Sequence, residues 1–144
     1  MRAAAALLVL GLASPALAAD PMPNPVLTPG GWKSPATPLP ILCKPGYTRT
    51  ARHVSQTAKE RIYRLYHVDP AGAAKRGYRI DHLVPLSLDG SNEDRNLWPE
   101  TGSTKKDALE DKLHRLVCTG AVSLQAAQWA ISKDWTEAYA RYVR

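Results

Sequence analysis

Residues 78–100 read YRIDHLVPLSLDGSNEDRNLWPE, and this stretch decides the fold. Its first part is typical of a β-strand, which Pro85 either ends or confines to a sheet edge. Asp89 and Gly90 form a turn signal of the kind that reverses a hairpin, and residues 96–98 are the predicted return strand, stopped by the proline that follows. The stretch therefore predicts two short antiparallel strands.

A helix is predicted directly after this hairpin. Ser103 or Thr104 can cap it, and leucines and a valine at helical spacing form a buried stripe before Gly120 ends it. These apolar positions are Leu109, Leu113, Leu116 and Val117.

Further helices are predicted on both sides of this unit. Upstream, a short extended piece runs from Tyr47 through Arg52, and a capping box at Thr57 then starts a helix. Downstream, Ser123 caps another helix, and Asp134 leads into a final turn or helix. We therefore expect an α+β fold, a small and mainly helical domain built around a β-hairpin followed by a helix.

The start of the chain predicts export. Residues 1–18 combine Arg2, a short apolar stretch and the small-x-small sequence at residues 16–18, which is the pattern of a signal peptide rather than a membrane anchor. Residues 19–42 are predicted to be a proline-rich arm or linker, since residues 20–40 carry seven prolines. Residues 43–144 then form one folded domain of a periplasmic or secreted protein without a membrane segment.

Export places the two cysteines, Cys43 and Cys118, in an oxidising compartment. An even count favours one disulfide, and two buried thiols are the alternative. Removing Arg2 from the 19 lysines and arginines leaves 18 against 13 acidic residues, a formal charge of +5. A basic surface attracts polyanions such as nucleic acid, although many exported proteins are mildly basic without binding it.

The residues that carry candidate chemistry are Asp81 and His82, with Asn96 following 14 residues after the histidine. A carboxylate can bind a hard divalent cation, whereas a neutral imidazole can take a proton from water near neutral pH. Neighbours on a regular strand point to opposite faces, so the backbone must twist there if both side chains serve one substrate. A hydrogen-bonded polar cluster at a strand end is the structural alternative.

The same stretch resembles the HNH nucleases, the ββα-metal or His-Me finger group, and in particular small secreted members. The matching residues are Tyr78, Ile80, Asp81, His82, Leu83, Pro85, Leu86, Leu88, Gly90, Asn96, Leu97, Trp98, Pro99, Glu100, Lys106, Asp107 and Glu110. Familiar flanks around Cys43 and Cys118 extend the resemblance over nearly all of the mature domain.

The resemblance implies the following roles. His82 would be the general base, Asn96 would hold its ring or loop, and Asp81 would bind one divalent ion, Mg²⁺ first and Mn²⁺, Zn²⁺ or Ni²⁺ as alternatives. The third motif position is usually Asn or His but here is Thr104, either a weak metal ligand or the mark of a decayed site. Products would carry a 5′-phosphate and a free 3′-hydroxyl.

These roles describe a metal-dependent endonuclease, a hydrolase of phosphodiester bonds with low sequence specificity and DNA rather than RNA as its expected substrate. Positive side chains would contact phosphates without reading sequence. They are Arg79, which stands where related sequences often show Glu, together with Arg95, Lys105 and Lys106. The alternatives are an inactive HNH-like domain that binds nucleic acid or a protein partner in the cell envelope, and an exported toxin.

Overall fold

The computed structural model describes residues 22–144, which form an α+β fold that is about half helical with one two-stranded antiparallel sheet. The elements in chain order are α1 (Leu39–Leu42), α2 (Tyr47–Ala51), α3 (Gln56–Leu65), β1 (Arg79–His82), β2 (Leu97–Glu100), α4 (Thr104–Cys118), α5 (Leu124–Lys133) and α6 (Trp135–Tyr142). The predicted fold class is confirmed at this level. The predicted signal peptide, residues 1–18, lies outside the described residues.

The two strands pair with Arg79 opposite Glu100 and His82 opposite Leu97. Pro99 was expected to stop the second strand, but it lies inside β2, opposite Ile80. A two-stranded sheet leaves each strand with one unpaired edge, and a proline is tolerated where its missing N–H would face that edge. The hairpin therefore extends one register position past the proline.

The connection between the strands is long, spanning residues 83–96, rather than the tight turn that Asp89 and Gly90 suggested. It contains two single 3-10 turns, at Leu86–Leu88 and Asp94–Asn96. Asp89 adopts a left-handed conformation with φ of 61°. Gly90 lies so close to the Val84 carbonyl that a Cβ would come within 1.8 Å of its oxygen, so only glycine fits.

Helices α4, α5 and α6 pack with the connection around one core. Each begins at a side-chain cap, in which Ser103, Ser123 and Asp134 accept hydrogen bonds from backbone N–H groups of the first turn. The buried core residues are Leu83, Val84, Leu88, Trp98, Leu109, Leu113, Val117, Ala127, Ile131, Trp135 and Ala138. The hairpin and the first half of its connection are thereby fixed against α4.

The N-terminal elements differ in detail from the sequence expectations. Residues 47–51 form helix α2 rather than an extended piece, following Gly46 in the left-handed conformation. Helix α3 is capped by Ser55, whose hydroxyl accepts from the Ala58 N–H, instead of by Thr57. The first difference arises because a five-residue segment is decided by its tertiary contacts more than by local propensity. The second is a choice between two neighbouring local caps, since Ser55 is as good a capping residue as Thr57.

The described part of the proline-rich segment lies against the hairpin connection. The Thr28 hydroxyl donates to the Leu97 carbonyl over 2.9 Å, and the Gly30 N–H donates to the Arg95 carbonyl over 3.1 Å. The buried Asp89 carboxylate accepts hydrogen bonds from the Thr37 N–H and hydroxyl, each over 2.7 Å. These bonds give a proline-rich stretch a fixed path over the domain.

The predicted disulfide is confirmed. Cys43, directly after α1, is bonded to Cys118, the last residue of α4, across 75 positions of sequence. The bond ties the start of the domain to the end of the central helix. Within residues 22–144, no helix combines the length and apolar character that crossing a bilayer requires.

Candidate functional site

Asp81 and His82, adjacent at the end of β1, both line one open cleft of about 220 Å³, here named the His82 cleft. The chain leaves the strand directly after His82, so two neighbours that would diverge on a regular strand reach the same space. The complete lining is Thr48, Arg52, Asp81, His82, Pro85, Leu86, Ser87, Glu110 and Asp111. The cleft thus lies between α2, the end of β1 and α4.

The His82 ring is buried, with 2% of its surface exposed, and its orientation is set by Asn92. The Asn92 amide N–H donates to the Ala51 carbonyl, and its oxygen accepts from the His53 N–H. That same oxygen lies 3.0 Å from His82 Nε2, so Nε2 must carry the proton and donate. The other ring nitrogen, Nδ1, therefore holds the lone pair, and it is buried without a partner among the described residues.

The protonation of His82 follows from this environment. Burial lowers its pKa below the ordinary value, and the positive charges of Arg52 and Lys106 act in the same direction. The hydrogen bond to Asn92 and the Asp81 carboxylate oppose that change without reversing it. His82 is therefore a neutral imidazole at neutral pH, able to accept a proton at Nδ1.

Asn96 is fully buried and makes four hydrogen bonds to backbone groups. Its oxygen accepts from the N–H groups of Gly31 and Val84, and its amide donates to the carbonyls of Val84 and Ser91. These bonds close the connection between the strands on itself and on the N-terminal segment. Asn96 was expected to hold either the His82 ring or the loop. All four of these hydrogen bonds are to the backbone of the loop and the N-terminal segment, so they hold the loop.

Lys106 lies at the base of the cleft with its side chain wholly buried. Its ammonium donates to Asp81 Oδ2 over 2.7 Å, to the His82 carbonyl over 2.9 Å, and to Glu110 Oε1. Burial opposes its charge, but the carboxylates of Glu110 and Asp81 outweigh that cost and raise its pKa above the ordinary value. The charge of Lys106 is thus committed to the cleft instead of being presented at the surface for a phosphate.

Glu110 lies one helical turn after Lys106 on α4, with its side chain 21% exposed. Burial raises its pKa to about 7, helped by the nearby Asp81 carboxylate and opposed by the Lys106 ammonium. Two carboxylates that contact one ammonium nitrogen lie close enough to repel each other, so the pair favours an additional positive charge, either a proton or a cation.

The other positive side chains expected to contact phosphates lie outside the cleft lining. Arg79 is ion-paired with Glu100 over 2.8 Å and with Asp107 over 3.1 Å. Arg95 donates to the Gly30 carbonyl over 3.1 Å, and Lys105 is exposed on the first turn of α4. Among the residues that line the cleft, the positively charged one is Arg52.

Arg52 belongs to the upstream flank of the resembling motif, but no role in the site was predicted for it from the sequence. It directly follows α2, lines the His82 cleft, and its guanidinium makes no hydrogen bond or ion pair within residues 22–144. Thr48, one turn earlier, lines the same wall. A basic pattern at residues 49–53 was visible in the sequence, but nothing in its spacing indicated that it faces Asp81 and His82.

The side chains at the cleft suit a hard divalent cation. Asp81 and Glu110 offer carboxylate oxygens, and Asp111 lines the same space. Mg²⁺ is commonly held by one or two carboxylates and several waters, so two protein ligands are sufficient. Thr104, the other expected ligand, is exposed at the first position of α4 and does not belong to the lining of this cleft. Lys106 and Glu110 stood in the resembling motif, and their spacing of four on a helix is a signal that could have indicated their contact.

Comparison of the chain with protein-family models, with curated proteins and with solved structures gives no match.

Proposed function

We propose that this protein is a metal-dependent endonuclease that hydrolyses phosphodiester bonds of nucleic acid with low sequence specificity. In this proposal β1, β2 and α4 form a ββα-metal finger of the HNH type. The observation that carries it is the convergence of Asp81 and a neutral His82 on one open cleft. Metal-assisted hydrolysis requires a hard oxygen ligand to bind the ion and a base to accept a proton from water, and a carboxylate and a free imidazole nitrogen supply these two groups.

His82 acts as the general base. Its Nε2–H is held by Asn92, so Nδ1 is the atom that takes a proton from the attacking water. A buried polar atom without a protein partner normally bonds to a water molecule or an ion, which supports Nδ1 as the position of that water. The lowered pKa keeps this nitrogen unprotonated at neutral pH, when the base is needed.

Asp81 and Glu110 hold the divalent ion. When bound, such an ion polarises the phosphate and offsets the negative charge that develops in the transition state. Lys106 fixes both carboxylates from below through one oxygen of each, so it positions the ligands while reducing their mutual repulsion. Glu110 takes the role that the sequence alone had given to Thr104.

Arg52 binds the backbone of the substrate. Its guanidinium lies in the cleft wall without an acidic partner, and a guanidinium matches a phosphate through paired N–H donors. Such contacts position a strand without selecting bases, which favours low sequence specificity. The formal charge of +6 on the whole chain, or +5 without Arg2, supports attraction to a polyanion. The disulfide supports action outside the cytoplasm.

One observation favours the alternative, an inactive finger domain that binds nucleic acid. The Lys106 ammonium already neutralises Asp81 and Glu110, which is the charge that a metal would otherwise supply. If Lys106 satisfies these carboxylates completely, the domain binds strands through Arg52 without cutting them.

Nicking of supercoiled plasmid separates the two functions. With Mg²⁺ or Mn²⁺ we expect the purified protein to nick the plasmid, and chelation with EDTA to stop it. Asp81→Asn should lose most of the activity, whereas Asp69→Asn, a carboxylate outside the cleft, should keep it. Salt-sensitive DNA binding that is indifferent to EDTA, with no cleavage by any divalent ion, would exclude the enzyme and favour the binder.

A further inference from the structure

A second group of chemically reactive side chains lies at the far end of α4, away from the His82 cleft. It consists of Cys43, His114 and Cys118, here named the sulfur–imidazole cluster. One potential ligand atom from each residue lies within 4.8 Å of the other two. Within residues 22–144 this is the only group of three or more His, Cys, Asp or Glu side chains that meets that criterion.

The positions of these residues follow from helix geometry. His114 and Cys118 are four residues apart on α4, so their side chains lie one above the other on the same face. Cys43 follows α1, and its bond to Cys118 brings it to that face. Two ligands at this spacing on one helix and a third from another segment form a common arrangement for a transition-metal site.

One nitrogen of the His114 ring lacks a hydrogen-bond partner. Its Nε2 is buried and makes no hydrogen bond to any of the described residues. A buried nitrogen without a partner costs free energy unless another species bonds to it. A histidine four residues after a glutamate on a helix is typical of a surface pair, but Glu110 is directed to Lys106.

We propose that the sulfur–imidazole cluster is a redox-gated zinc site, which binds one Zn²⁺ through the thiolates of Cys43 and Cys118 and the imidazole Nε2 of His114 when the disulfide is reduced. In the oxidised chain the two sulfurs are bonded to each other and carry no thiolate charge, so the site is closed. Two thiolates and an imidazole are the ligands that Zn²⁺ prefers.

A dithiol can reduce the disulfide and so open the site. The dithiol gives two electrons and two protons to the Cys43–Cys118 bond and becomes its own disulfide, leaving two thiols on the chain. Binding of Zn²⁺ to these as thiolates then releases two protons to water. A fourth position on the metal remains for water or an external ligand.

The ligand atoms need little movement. Tetrahedral Zn²⁺ with bonds of about 2.0–2.3 Å separates its ligand atoms by roughly 3.3–3.8 Å. The sulfurs separate once the bond between them is reduced, and one ring nitrogen of His114 already lies within 4.8 Å of both. Zinc would then tie the same two points of the chain that the disulfide ties, so the domain keeps a cross-link under reducing conditions.

Cobalt(II) provides the direct test, because thiolate ligation gives it an intense near-ultraviolet charge-transfer band. The purified chain is titrated with Co²⁺ in its oxidised form and, under anaerobic conditions, after reduction by dithiothreitol and removal of the reductant. We expect the reduced chain to bind one Co²⁺ with the thiolate band, Zn²⁺ to displace it, and the oxidised chain to show no such band.

Two variants distinguish the folded site from an unspecific dithiol. His114→Ala should weaken metal binding by at least the ~10- to 100-fold that loss of even an outer-shell partner costs. His67→Asn, at an exposed histidine outside the cluster, should bind as the parent chain does. An unfolded reduced chain would bind through its sulfurs alone. Equal affinity of His114→Ala and the parent, or no thiolate band in the reduced chain, would therefore overturn the proposal.

Discussion

Replacing Asn96 by alanine removes the four hydrogen bonds that hold the connection between β1 and β2. The backbone groups left behind are the N–H groups of Gly31 and Val84 and the carbonyls of Val84 and Ser91. Each buried polar group without a partner costs about 1–3 kcal/mol. Four of them give roughly 4–12 kcal/mol, and water entering the space of the lost amide brings the expected destabilisation to about 4 kcal/mol, the low end of that range. A domain of this size has a total stability of about 5–15 kcal/mol.

Urea unfolding followed by tryptophan fluorescence measures this loss as a shift in midpoint. Asn24→Ala is the matched control, because the Asn24 side chain accepts its two backbone bonds at the exposed surface, where water can replace it. The control should change the free energy of unfolding by about 1 kcal/mol or less. If Asn96→Ala also loses less than about 1 kcal/mol, the connection is not held in the way described.

Other substitutions test separate parts of the structure. Asp134→Ala should cost about 1 kcal/mol at neutral pH through loss of the α6 cap, whereas Asp134→Asn should cost little. Hydrogen bonds from Thr136 and the Glu137 N–H lower the pKa of Asp134. The part of its contribution that depends on the ionised carboxylate is therefore present above the ordinary value of 3.8 and is lost as pH falls through the lowered pKa. Paired denaturation curves at neutral and acidic pH should show a smaller difference between parent and Asp134→Ala in acid. Arg52→Ala should weaken DNA binding and reduce the slope of log affinity against log salt by about one, whereas Lys75→Ala, outside the cleft, should leave both unchanged. Fluorescence anisotropy at several salt concentrations measures the affinity and the slope. An unchanged slope in Arg52→Ala would remove this residue from the interface. Replacing Cys43 and Cys118 by serine removes a cross-link between residues 75 positions apart. The free energy of unfolding, measured by urea titration, should fall by about 4 kcal/mol, and a loss below about 1 kcal/mol would count against the bond.

The hairpin and the helices after it could be predicted because their signals are local. Residues 78–100 carry two strand patterns in order, although the connection is longer than the turn residues suggested. Ser123 caps α5 as expected, and Ser103, one of the two residues expected to cap α4, does so. The disulfide also followed from a simple argument, the even number of cysteines in a chain that the sequence predicts to be exported. Each of these signals depends on residues that are close in sequence or on a single pairing.

The surroundings of the candidate site could not be predicted in the same way. The burial of Lys106 between Asp81 and Glu110 depends on α4 packing beneath the strand end, and a lysine in a basic run would ordinarily be solvated. The contact between Asn92 and His82 depends on the path of the long connection. Arg52 reaches the cleft only because residues 47–51 fold into a helix that the sequence did not indicate. Tertiary contacts determine all three.

The most direct test of the central claim is the rate of plasmid nicking by His82→Ala in the presence of Mg²⁺. His67→Asn is the control, since it alters an exposed histidine outside the cleft and asparagine tolerates the left-handed backbone found there. With His82 as the general base, His82→Ala should be slower by about 10²- to 10⁴-fold at unchanged fold, while the control keeps the parent rate. A His82→Ala protein that nicks as fast as the parent would contradict the assignment of this imidazole as the base.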